Sequence, residues 1–250
     1  MKFSIISAVF NNDRTLEQSI NSVLSQENVD LEYILIDGKS SDNTLNILEK
    51  YKKQIKYLSE TDSGIYDAIN KGINMASGDI IGIIGADDFY PTRTTLQLVA
   101  QAFEKYSTDA IYGSKQYVSP ENDKLIVRYW KSEEYSRDKW LYSFMPPHLS
   151  LFLKRNAYLK YGLYRTDLTI SGDYELMLRM LYKNNLSCHY IPDCLISMRN
   201  GGVSTASLKN RMLANIQDRK AWKINHIQPR WFTLYLKPAR KIFQFIFKLP

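Results

Sequence analysis

The stretch Ile80-Ile-Gly-Ile-Ile-Gly-Ala-Asp-Asp88 decides the fold of this 250-residue chain. Its first part, Ile80–Ile84, contains only isoleucine and glycine and predicts a strand buried on both faces, because a half-exposed strand alternates apolar and polar residues. Two carboxylates, Asp87 and Asp88, follow directly. Adjacent carboxylates at the end of a buried strand are costly unless a cation or solvent compensates them. The stretch therefore predicts a buried strand that ends at a polar site.

Strands and amphipathic helices alternate on both sides of this stretch. This alternation predicts an α/β fold with a mainly parallel, Rossmann-like sheet and helices on both of its faces. Ligands bind such sheets beyond the carboxyl ends of the strands. The predicted strand and helix pairs are Phe3–Val9 with Thr15–Leu24, Glu32–Ile36 with Asn43–Tyr51, Ile55–Leu58 with Ile65–Met75, and Ile80–Ile84 with Thr95–Tyr106.

A polar loop rich in turn-forming residues follows each of these strands, and we expect the functional residues there. Asp37 ends the second strand, where its carboxylate would accept a hydrogen bond from a uracil or guanine N–H. The neighbouring Gly38, Ser41 and Asp42 are also explained as a turn and a helix cap. The four loops are Phe10–Asp13, Asp37–Asp42, Glu60–Gly64 and Gly85–Asp88.

The segment Asp62-Ser-Gly-Ile-Tyr-Asp-Ala-Ile-Asn-Lys71 opens the third helix. The first turn of a helix offers free backbone N–H groups and the positive end of the helix dipole, and both suit a diphosphate. Asp67, Asn70 and Lys71 share or adjoin one face of this helix, and we predict that they contact a nucleotide-sugar. An ordinary solvated helix face explains the same side chains, so both interpretations stand.

The acidic pair Asp87 and Asp88 offers hard oxygen ligands, which suit Mg²⁺ or Mn²⁺ bridging to a diphosphate. The sequence Asp-Asp-x-x-Pro, which leads here to Pro91, is also a common signal for a loop and a helix start. The position of the pair, at the fourth strand end in a row with polar residues, favours the metal interpretation.

Three residues of the second half of the chain are further candidates. Asp173 begins a predicted helix, Asp173–Lys183, where it acts either as a general base or as a helix cap. His148 begins a predicted strand, His148–Lys154, and is assigned a contact with the acceptor substrate. Arg199 precedes two glycines and would close over phosphates, although a Gly-Gly hairpin explains this turn equally well.

The net charge of +7 comes entirely from the C-terminal segment. Residues 209–250 hold ten of the 33 basic residues and one of the 26 acidic residues, which leaves 23 basic against 25 acidic residues in 1–208. We therefore predict a domain at 1–208, with a nucleotide-binding half at 1–110 and an acceptor half at 111–208, followed by a basic tail at 209–250. A near-neutral body argues against a nucleic-acid groove.

The tail from Arg230 onward mixes aromatic and basic residues, which is typical of a segment at an anionic membrane surface. A helix packed on the protein's own core is the alternative, and Pro238 would divide that helix. The chain contains no apolar run of the roughly 20 residues that a membrane span needs. Its two cysteines form no CxxC motif, which fits a reducing cytoplasm.

Taken together, these segments resemble the family 2 glycosyltransferases with the GT-A fold, over residues 1–205. Several motifs in a set order carry the resemblance. They are Ser7–Asn11, Gln26, Ile36–Thr44, Asp62–Gly72, Gly78-Asp79, Ala86-Asp87-Asp88 and Gly172-Asp173.

The resemblance implies a single-displacement, inverting reaction with Asp173 as the general base. Gly172 replaces the Glu of the family's Glu-Asp pair and leaves the base itself intact. Gly85 stands where the first acid of the family's Asp-x-Asp often lies, so metal binding rests chiefly on Asp87, with Asp88 beside it. The resemblance also implies that Phe10 and Asn11 border the nucleotide base, that Asp37 hydrogen-bonds it, and that Asn70 and Lys71 lie near the diphosphate or ribose. With the residues singled out above, the predicted nucleotide-sugar site consists of Phe10, Asn11, Asp37, Asp67, Asn70, Lys71, Ala86, Asp87 and Arg199.

The Asp62–Gly72 segment and His148 look most like a subgroup that builds O-antigen, capsule and colanic-acid repeat units. This implies transfer of a hexose, glucose or galactose, from a UDP-sugar to a sugar on undecaprenyl diphosphate, with Mn²⁺ or Mg²⁺ as cofactor. The enzyme would be cytoplasmic and peripherally attached to the inner face of the plasma membrane.

Two other classes of protein fit the sequence less well. A sugar nucleotidyltransferase would need a glycine-rich, basic loop after the first strand, and Phe10-Asn-Asn-Asp13 is not one. A non-catalytic protein that binds an anionic surface through its tail would leave the acids at successive strand ends unexplained. The missing GxGxxG motif disfavours a dinucleotide-dependent oxidoreductase.

Overall fold

A mixed eight-stranded sheet forms the centre of the computed structural model, which describes residues 1–200 and 208–236. Its strand order is β3-β2-β1-β4-β7-β5-β6, with β8 beside β5. The strands are β1 Lys2–Val9, β2 Asp30–Asp37, β3 Lys56–Ser59, β4 Ile80–Ile83, β5 Ala110–Val118, β6 Ile126–Trp130, β7 Leu151–Lys154 and β8 Cys188–Arg199.

The helices cover both faces of this sheet, which confirms the predicted α/β architecture. Residues of α1, α2 and α4 pack in one hydrophobic core, and residues of α3, α5, α6 and α7 pack in the other. The helices are α1 Leu16–Leu24, α2 Thr44–Tyr51, α3 Ile65–Met75, α4 Thr95–Tyr106, α5 Arg155–Tyr161, α6 Gly172–Met177 and α7 Leu208–Ile224. A π-helical turn, Leu178–Lys183, continues α6.

Burial on both faces explains why the central strands read as continuous apolar runs. Ile5 of β1 lies in one core and Ile6 in the other, and both are fully buried. Each such side chain contributes about 1.5–3 kcal/mol relative to an exposed one. The same requirement accounts for Ile80–Ile83 of β4, whose four residues are all buried.

The carboxyl ends of the central strands meet at one edge of the sheet. β1 runs parallel to β2 and β4, and β2 runs parallel to β3. β7 is antiparallel to both β4 and β5, so β5 has the same direction as β4, and β8 is parallel to β5. The carboxyl ends of β1–β5 and β8, and the loops that follow β1–β5, therefore lie at this edge.

The predicted strand His148–Lys154 is wrong in its first half. His148–Ser150 form a 3₁₀ turn, and β7 begins only at Leu151. The hydroxyl of Ser150 donates hydrogen bonds to the carbonyl oxygens of Pro147 and Gly113, which stabilises the turn. His148 consequently projects from a turn before the strand.

The first part of the predicted tail packs on the body of the protein. Ala221 and Trp222 of α7 and Leu234 beyond it belong to the hydrophobic core that contains α3 and α6. The indole Nε1 of Trp222 donates a hydrogen bond to the hydroxyl of Tyr174, 2.8 Å away. Of the tail from Arg230 onward, Leu234 is thus buried in this core, and whether a helix beyond it packs on the core stays a prediction.

The remaining tail residues, 237–250 with Pro238, and the Gly201–Ser204 part of the predicted turn lie outside the described residues. Within 1–200 and 208–236, no helix combines the length and the apolar character that crossing a bilayer requires.

The buried carboxylate of Glu32 joins β1, β2 and the segment after α3. It accepts hydrogen bonds from the Ser4 hydroxyl at 2.6 Å, the Ser77 backbone N–H at 2.6 Å and the Lys56 ammonium at 2.7 Å. Burial alone would raise the pKa of Glu32, but the hydrogen bonds from Lys56, Ser4 and Ser77 outweigh it and hold the pKa well below its usual range.

We expect Glu32→Gln to lower the free energy of unfolding by about 2–4 kcal/mol near pH 7, because a neutral amide loses the ion pairs with Lys2 and Lys56 and accepts the buried hydrogen bonds more weakly. The folded pKa lies below the unfolded value, so the charged-state contribution is complete above pH 4.5 and is lost as the pH falls. Urea unfolding at several pH values measures both effects.

Glu49→Gln is the matched control, because Glu49 is exposed and pairs with Lys52 at the surface. Its cost should stay within about 1 kcal/mol. Equal losses for the two variants, or a Glu32 effect that persists unchanged in acid, would contradict this account of Glu32.

Candidate active site

Phe10 and Asn11 follow β1 at the carboxyl edge of the sheet. The Phe10 side chain is 65% exposed. Asn11 has a φ of 47°, a conformation that Asn tolerates better than most residues, and its amide oxygen accepts a hydrogen bond from the Ser41 N–H at 2.8 Å. The Asn11 N–H donates to the Ser40 hydroxyl at 2.8 Å. These bonds join the loops after β1 and β2 and leave the Phe10 ring exposed at the edge.

Asp37 lies beneath these loops. Its side chain is fully buried and accepts hydrogen bonds from the Ser40 hydroxyl and, at 2.6 Å, from the Ser59 hydroxyl. In this conformation Asp37 shapes the loop that carries Ser40. Direct contact between Asp37 and a nucleotide base stays a prediction.

Gly38 allows Phe10 and Asp62 to approach each other across the edge. A Cβ atom at position 38 would lie 2.7 Å from Asp62 Oδ2 and 3.3 Å from Phe10 Cδ2. Asp62 therefore borders the same surface as Phe10, although the sequence associated it only with the start of α3. No short-range pattern could have found this contact, because it joins loops from three different strands.

The loop before α3 is stabilised by Asp67 and Lys71. Asp67 accepts a hydrogen bond from the Ser63 N–H at 3.0 Å, and Lys71 Nζ lies 2.8 Å from both Glu60 Oε1 and the Thr61 carbonyl oxygen. The Glu60 carboxylate is the main cause that raises the pKa of Lys71. Both side chains lie near the start of α3, and their contact with a nucleotide-sugar stays a prediction.

Asn70 binds the backbone of Tyr164. Its side-chain amide donates to the Tyr164 carbonyl oxygen at 2.8 Å and accepts from the Tyr164 N–H at 2.9 Å. Both polar atoms of Asn70 are therefore used by the backbone of the acceptor half. Asn70 ties α3 to the segment 111–208, and its contact with a diphosphate or ribose stays a prediction.

The two acids after β4 differ sharply in environment. Asp87 is exposed, whereas Asp88 is 2% exposed and accepts a hydrogen bond from the Arg199 N–H at 3.1 Å. Burial first, and the charge of Asp87 second, raise the pKa of Asp88 to about 8. A Cβ atom at Gly85 would collide with Asp88 Oδ2, so Asp88 occupies the space that an acid at position 85 would need.

The fit of a divalent cation to this site rests on Asp87. Mg²⁺ is commonly bound through one or two carboxylates together with substrate phosphates, and exposed Asp87 suits that arrangement. The described residues contain no group of three or more His, Cys, Asp or Glu side chains able to hold a metal ion. The buried carboxylate of Asp88 does not suit the predicted role of second ligand, and neighbouring Ala86 is buried too.

Arg199 ends β8 beside the acidic pair. One guanidinium nitrogen donates to the Asp87 carbonyl oxygen at 3.3 Å, and another donates to Gln18 Oε1. The guanidinium carbon lies 5.4 Å from the centre of the Phe89 ring. Arg199 thus lies next to Asp87, and its contact with a phosphate stays a prediction.

Asp173 lies in the first turn of α6, while Ser171 occupies the N-cap position. Its Oδ1 accepts hydrogen bonds from the Tyr174 N–H at 2.8 Å and from the Tyr66 hydroxyl at 3.2 Å. The Asp173 side chain is 24% exposed, so solvent reaches this carboxylate. Asp173 is therefore not the N-cap residue, although it accepts one N–H of the first turn, and a general base is compatible with this position.

His148 lies beside Asp173. Its Nδ1 is 3.8 Å from Asp173 Oδ2, and its Nε2 is 3.0 Å from the Tyr164 hydroxyl. Burial lowers the pKa of His148, and the charge of Asp173 opposes that effect. The predicted acceptor residue and the predicted base, 25 positions apart in the sequence, are therefore neighbours.

Gly172 lies against the ring of Tyr66. A Cβ atom at position 172 would lie 2.7 Å from two ring carbons of Tyr66. This contact explains why glycine precedes Asp173 here, since a glutamate would displace the ring. Sequence reasoning missed Tyr66, whose partner Asp173 is 107 positions away.

Comparison with known proteins identifies the family. The sequence model described as Glycosyl transferase family 2 matches residues 4–159. The chain belongs to glycosyltransferase family 2. A PGL/p-HBAD biosynthesis glycosyltransferase of Mycobacterium tuberculosis is 26% identical over 223 residues, covering 86% of this chain and 83% of the relative. The prediction of a glycosyltransferase is confirmed over the nucleotidyltransferase and non-catalytic alternatives.

Solved structures of GT-A glycosyltransferases share the fold. Residues 1–349 of S. aureus TarS superpose with a TM-score of 0.70 at 16% identity, and the match covers 97% of this family 2 protein and 72% of TarS 1–349. In a longer TarS structure, the match covers 42% of the TarS chain. The mannosyltransferase PcManGT of Pyrobaculum calidifontis, in complex with GDP-Man and Mn²⁺, gives a TM-score of 0.65 at 17% identity, covering 95% and 73%. The predicted GT-A fold is confirmed.

Proposed function

We propose that this glycosyltransferase transfers a hexose, glucose or galactose, from a UDP-sugar to a sugar on a lipid diphosphate, with inversion. The observation that carries the proposal is the contact between Asp173 of the acceptor half and Tyr66 in the first turn of α3. It brings a partly exposed carboxylate to the sheet edge where the loops of the nucleotide half end. TarS 1–349, a neighbour in fold, has been solved in complex with UDP-GlcNAc.

The donor would bind across the loops after β1, β3 and β4. The exposed ring of Phe10 supplies a flat apolar surface for the base, with Asn11 and the Asp37 loop beside it. The free N–H groups at the start of α3 and the guanidinium of Arg199 suit the diphosphate. Asp87 would hold Mg²⁺ or Mn²⁺, which when bound supplies positive charge to the leaving diphosphate.

Asp173 would act as the general base. As the acceptor hydroxyl oxygen forms a bond to the anomeric carbon, its proton passes to Asp173, and the bond from that carbon to the diphosphate breaks. The electron pair of the broken bond leaves with UDP, and attack from the opposite face inverts the anomeric centre. His148, next to Asp173, would contact the acceptor sugar.

We expect Asp173→Asn to lower sugar transfer at least about a hundredfold, because the amide cannot take the proton. Binding of UDP should stay unchanged, since Asp173 touches the acceptor side. Release of UDP from UDP-glucose and UDP-galactose, with N-acetylglucosamine on a short-chain lipid diphosphate as acceptor, measures transfer. Calorimetry measures UDP binding.

Asp167→Asn is the control, because Asp167 is an exposed carboxylate paired with Arg165 and Lys220. It removes the same charge away from the base and should leave transfer intact. Transfer by Asp173→Asn within about threefold of wild type would exclude Asp173 as the base, whose role is usually worth at least a hundredfold.

We expect EDTA to abolish transfer and Mn²⁺ to restore it in the wild type. Asp87→Asn should weaken the Mn²⁺-dependent part of UDP binding, because a neutral amide is a poorer ligand for a hard cation. Calorimetric titration of UDP with and without Mn²⁺ separates this effect from catalysis. Asp109→Asn, which removes an exposed carboxylate elsewhere, should behave as the wild type. If Mn²⁺ strengthened UDP binding as much in Asp87→Asn as in the wild type, Asp87 would be excluded as the metal ligand.

Attachment to the inner membrane surface is supported by the exposed part of 208–236. Trp231 is 84% exposed and Tyr235 is 63% exposed. The guanidinium of Arg219 on α7 lies 5.2 Å from the centre of the Tyr235 ring, so basic and aromatic groups adjoin on one surface. Aromatic rings among cations suit the headgroup region of an anionic bilayer.

Trp231→Ala should weaken binding to phosphatidylglycerol vesicles several-fold and leave the melting temperature unchanged, because the lost ring is exposed. Co-sedimentation measures the binding, and phosphatidylcholine vesicles report the part that needs no anionic lipid. Leu159→Ala removes a 65% exposed side chain of α5 and serves as the control. Unchanged sedimentation of Trp231→Ala would place the membrane contact elsewhere.

A further inference from the structure

The ring of Tyr66 is held firmly between the two halves of the protein. It is 7% exposed and stacks on the ring of Tyr164, with centroids 5.5 Å apart and planes inclined by 10°. Its other neighbour is Gly172, where any Cβ atom would meet the ring carbons. Because both sides are occupied, the ring has one place to lie, and its hydroxyl has a set position.

The hydroxyl of Tyr66 is directed at the start of α6. It lies 2.8 Å from the Ile170 carbonyl oxygen and 3.2 Å from Asp173 Oδ1. Burial first, and the negative charge of Asp173 second, raise the pKa of Tyr66 well above its usual range. The hydroxyl therefore keeps its one proton and shares it between these two acceptors in a three-centre hydrogen bond.

The two oxygens of Asp173 have different surroundings. Oδ1 accepts hydrogen bonds from the Tyr174 N–H and from the Tyr66 hydroxyl. Among the described residues, none donates a hydrogen bond to Oδ2, and His148 Nδ1 lies 3.8 Å from it. A carboxylate with one oxygen held in this way presents its other oxygen to an incoming hydroxyl.

We propose that Tyr66 is the positioning residue of the general base, and that its hydroxyl holds Asp173 Oδ1 so that Oδ2 receives the acceptor proton. This inference rests on the proposed role of Asp173. The tyrosine ring fills the space that the side chain of a Glu-Asp pair would take at position 172, so the contact to the base comes from α3. One residue thereby links the nucleotide half to the reacting group.

Tyr66→Phe tests the proposal, because it keeps the ring between Tyr164 and Gly172 and removes only the hydroxyl. We expect kcat to fall about tenfold or more, the usual effect of losing a hydrogen bond to a charged group. KM for the UDP-sugar should stay within about twofold, since the donor does not touch the hydroxyl. The acid limb of the pH–rate profile should move to higher pH, because a carboxylate that loses a donor keeps its proton longer.

Tyr158→Phe is the matched control. Tyr158 is buried, its ring stacks on the far side of the same cluster at 6.3 Å from Tyr164, and its hydroxyl interacts with Tyr164. The variant removes a buried hydroxyl one ring further from Asp173. Its pH–rate profile should match the wild type, even if its melting temperature falls as much as that of Tyr66→Phe.

Gly172→Ala gives a second route to the same contact, should Tyr66→Phe be unstable. The added Cβ atom pushes the ring and moves the hydroxyl without removing it. We expect a lower kcat and the same direction of shift in the acid limb, measured by transfer from the UDP-sugar to the lipid-diphosphate acceptor.

The results of these variants distinguish the positioning role of Tyr66 from the general-base role of Asp173. An active Asp173→Asn enzyme would overturn the general base, whatever Tyr66 does. An inactive Asp173→Asn enzyme, together with wild-type kcat and pH–rate profile for Tyr66→Phe and Gly172→Ala, would overturn the positioning role alone. If Tyr66→Phe and Tyr158→Phe lowered kcat equally and neither shifted the acid limb, Tyr66 would contribute only to packing.

Discussion

Burial of both faces of β1 and β4 is the constraint on which this structure depends. Strands of this kind require helices on both sides, and those helices return the chain so that successive strands run parallel. Parallel strands end at the same edge. The polar loops are thereby collected at one place, although they are spread over the first 88 residues of the sequence. The site of this family 2 glycosyltransferase follows from the burial of its sheet.

The second requirement is a fixed relation between the two halves. Hydrogen bonds in the interior, as well as apolar packing, hold the two halves in this relation. The Asn70 side chain hydrogen-bonds to the carbonyl oxygen and to the N–H of Tyr164. The Tyr66 hydroxyl hydrogen-bonds to the Ile170 carbonyl oxygen and to Asp173. Hydrogen bonds add direction to packing, which by itself leaves orientation loosely defined. A general base has to be placed to within a fraction of an ångström, so this directional contact suits the chemistry.

The four carboxylates at the site differ in burial, and two of them are buried while two are accessible to solvent. Asp37 and Asp88 lie inside and organise loops through hydrogen bonds from Ser40 and the Arg199 backbone. Asp87 and Asp173 remain open to solvent, where a cation or a substrate proton can reach them. Neighbours in sequence thus have opposite environments, since Asp87 is exposed and Asp88 is buried.

The sequence by itself determined the fold class, the family and most of the element boundaries in the first 110 residues, because periodicity and strand-end loops are local properties. It also identified Asp173, Asp87 and His148 as candidates. Only the tertiary structure decided that Asn70 binds the backbone of Tyr164, that Asp88 is buried, that His148 lies on a turn beside Asp173, and that Tyr66 touches Asp173. Each of these depends on a contact between segments distant in the chain or on the direction of one side chain, and neither leaves a periodic pattern in the sequence.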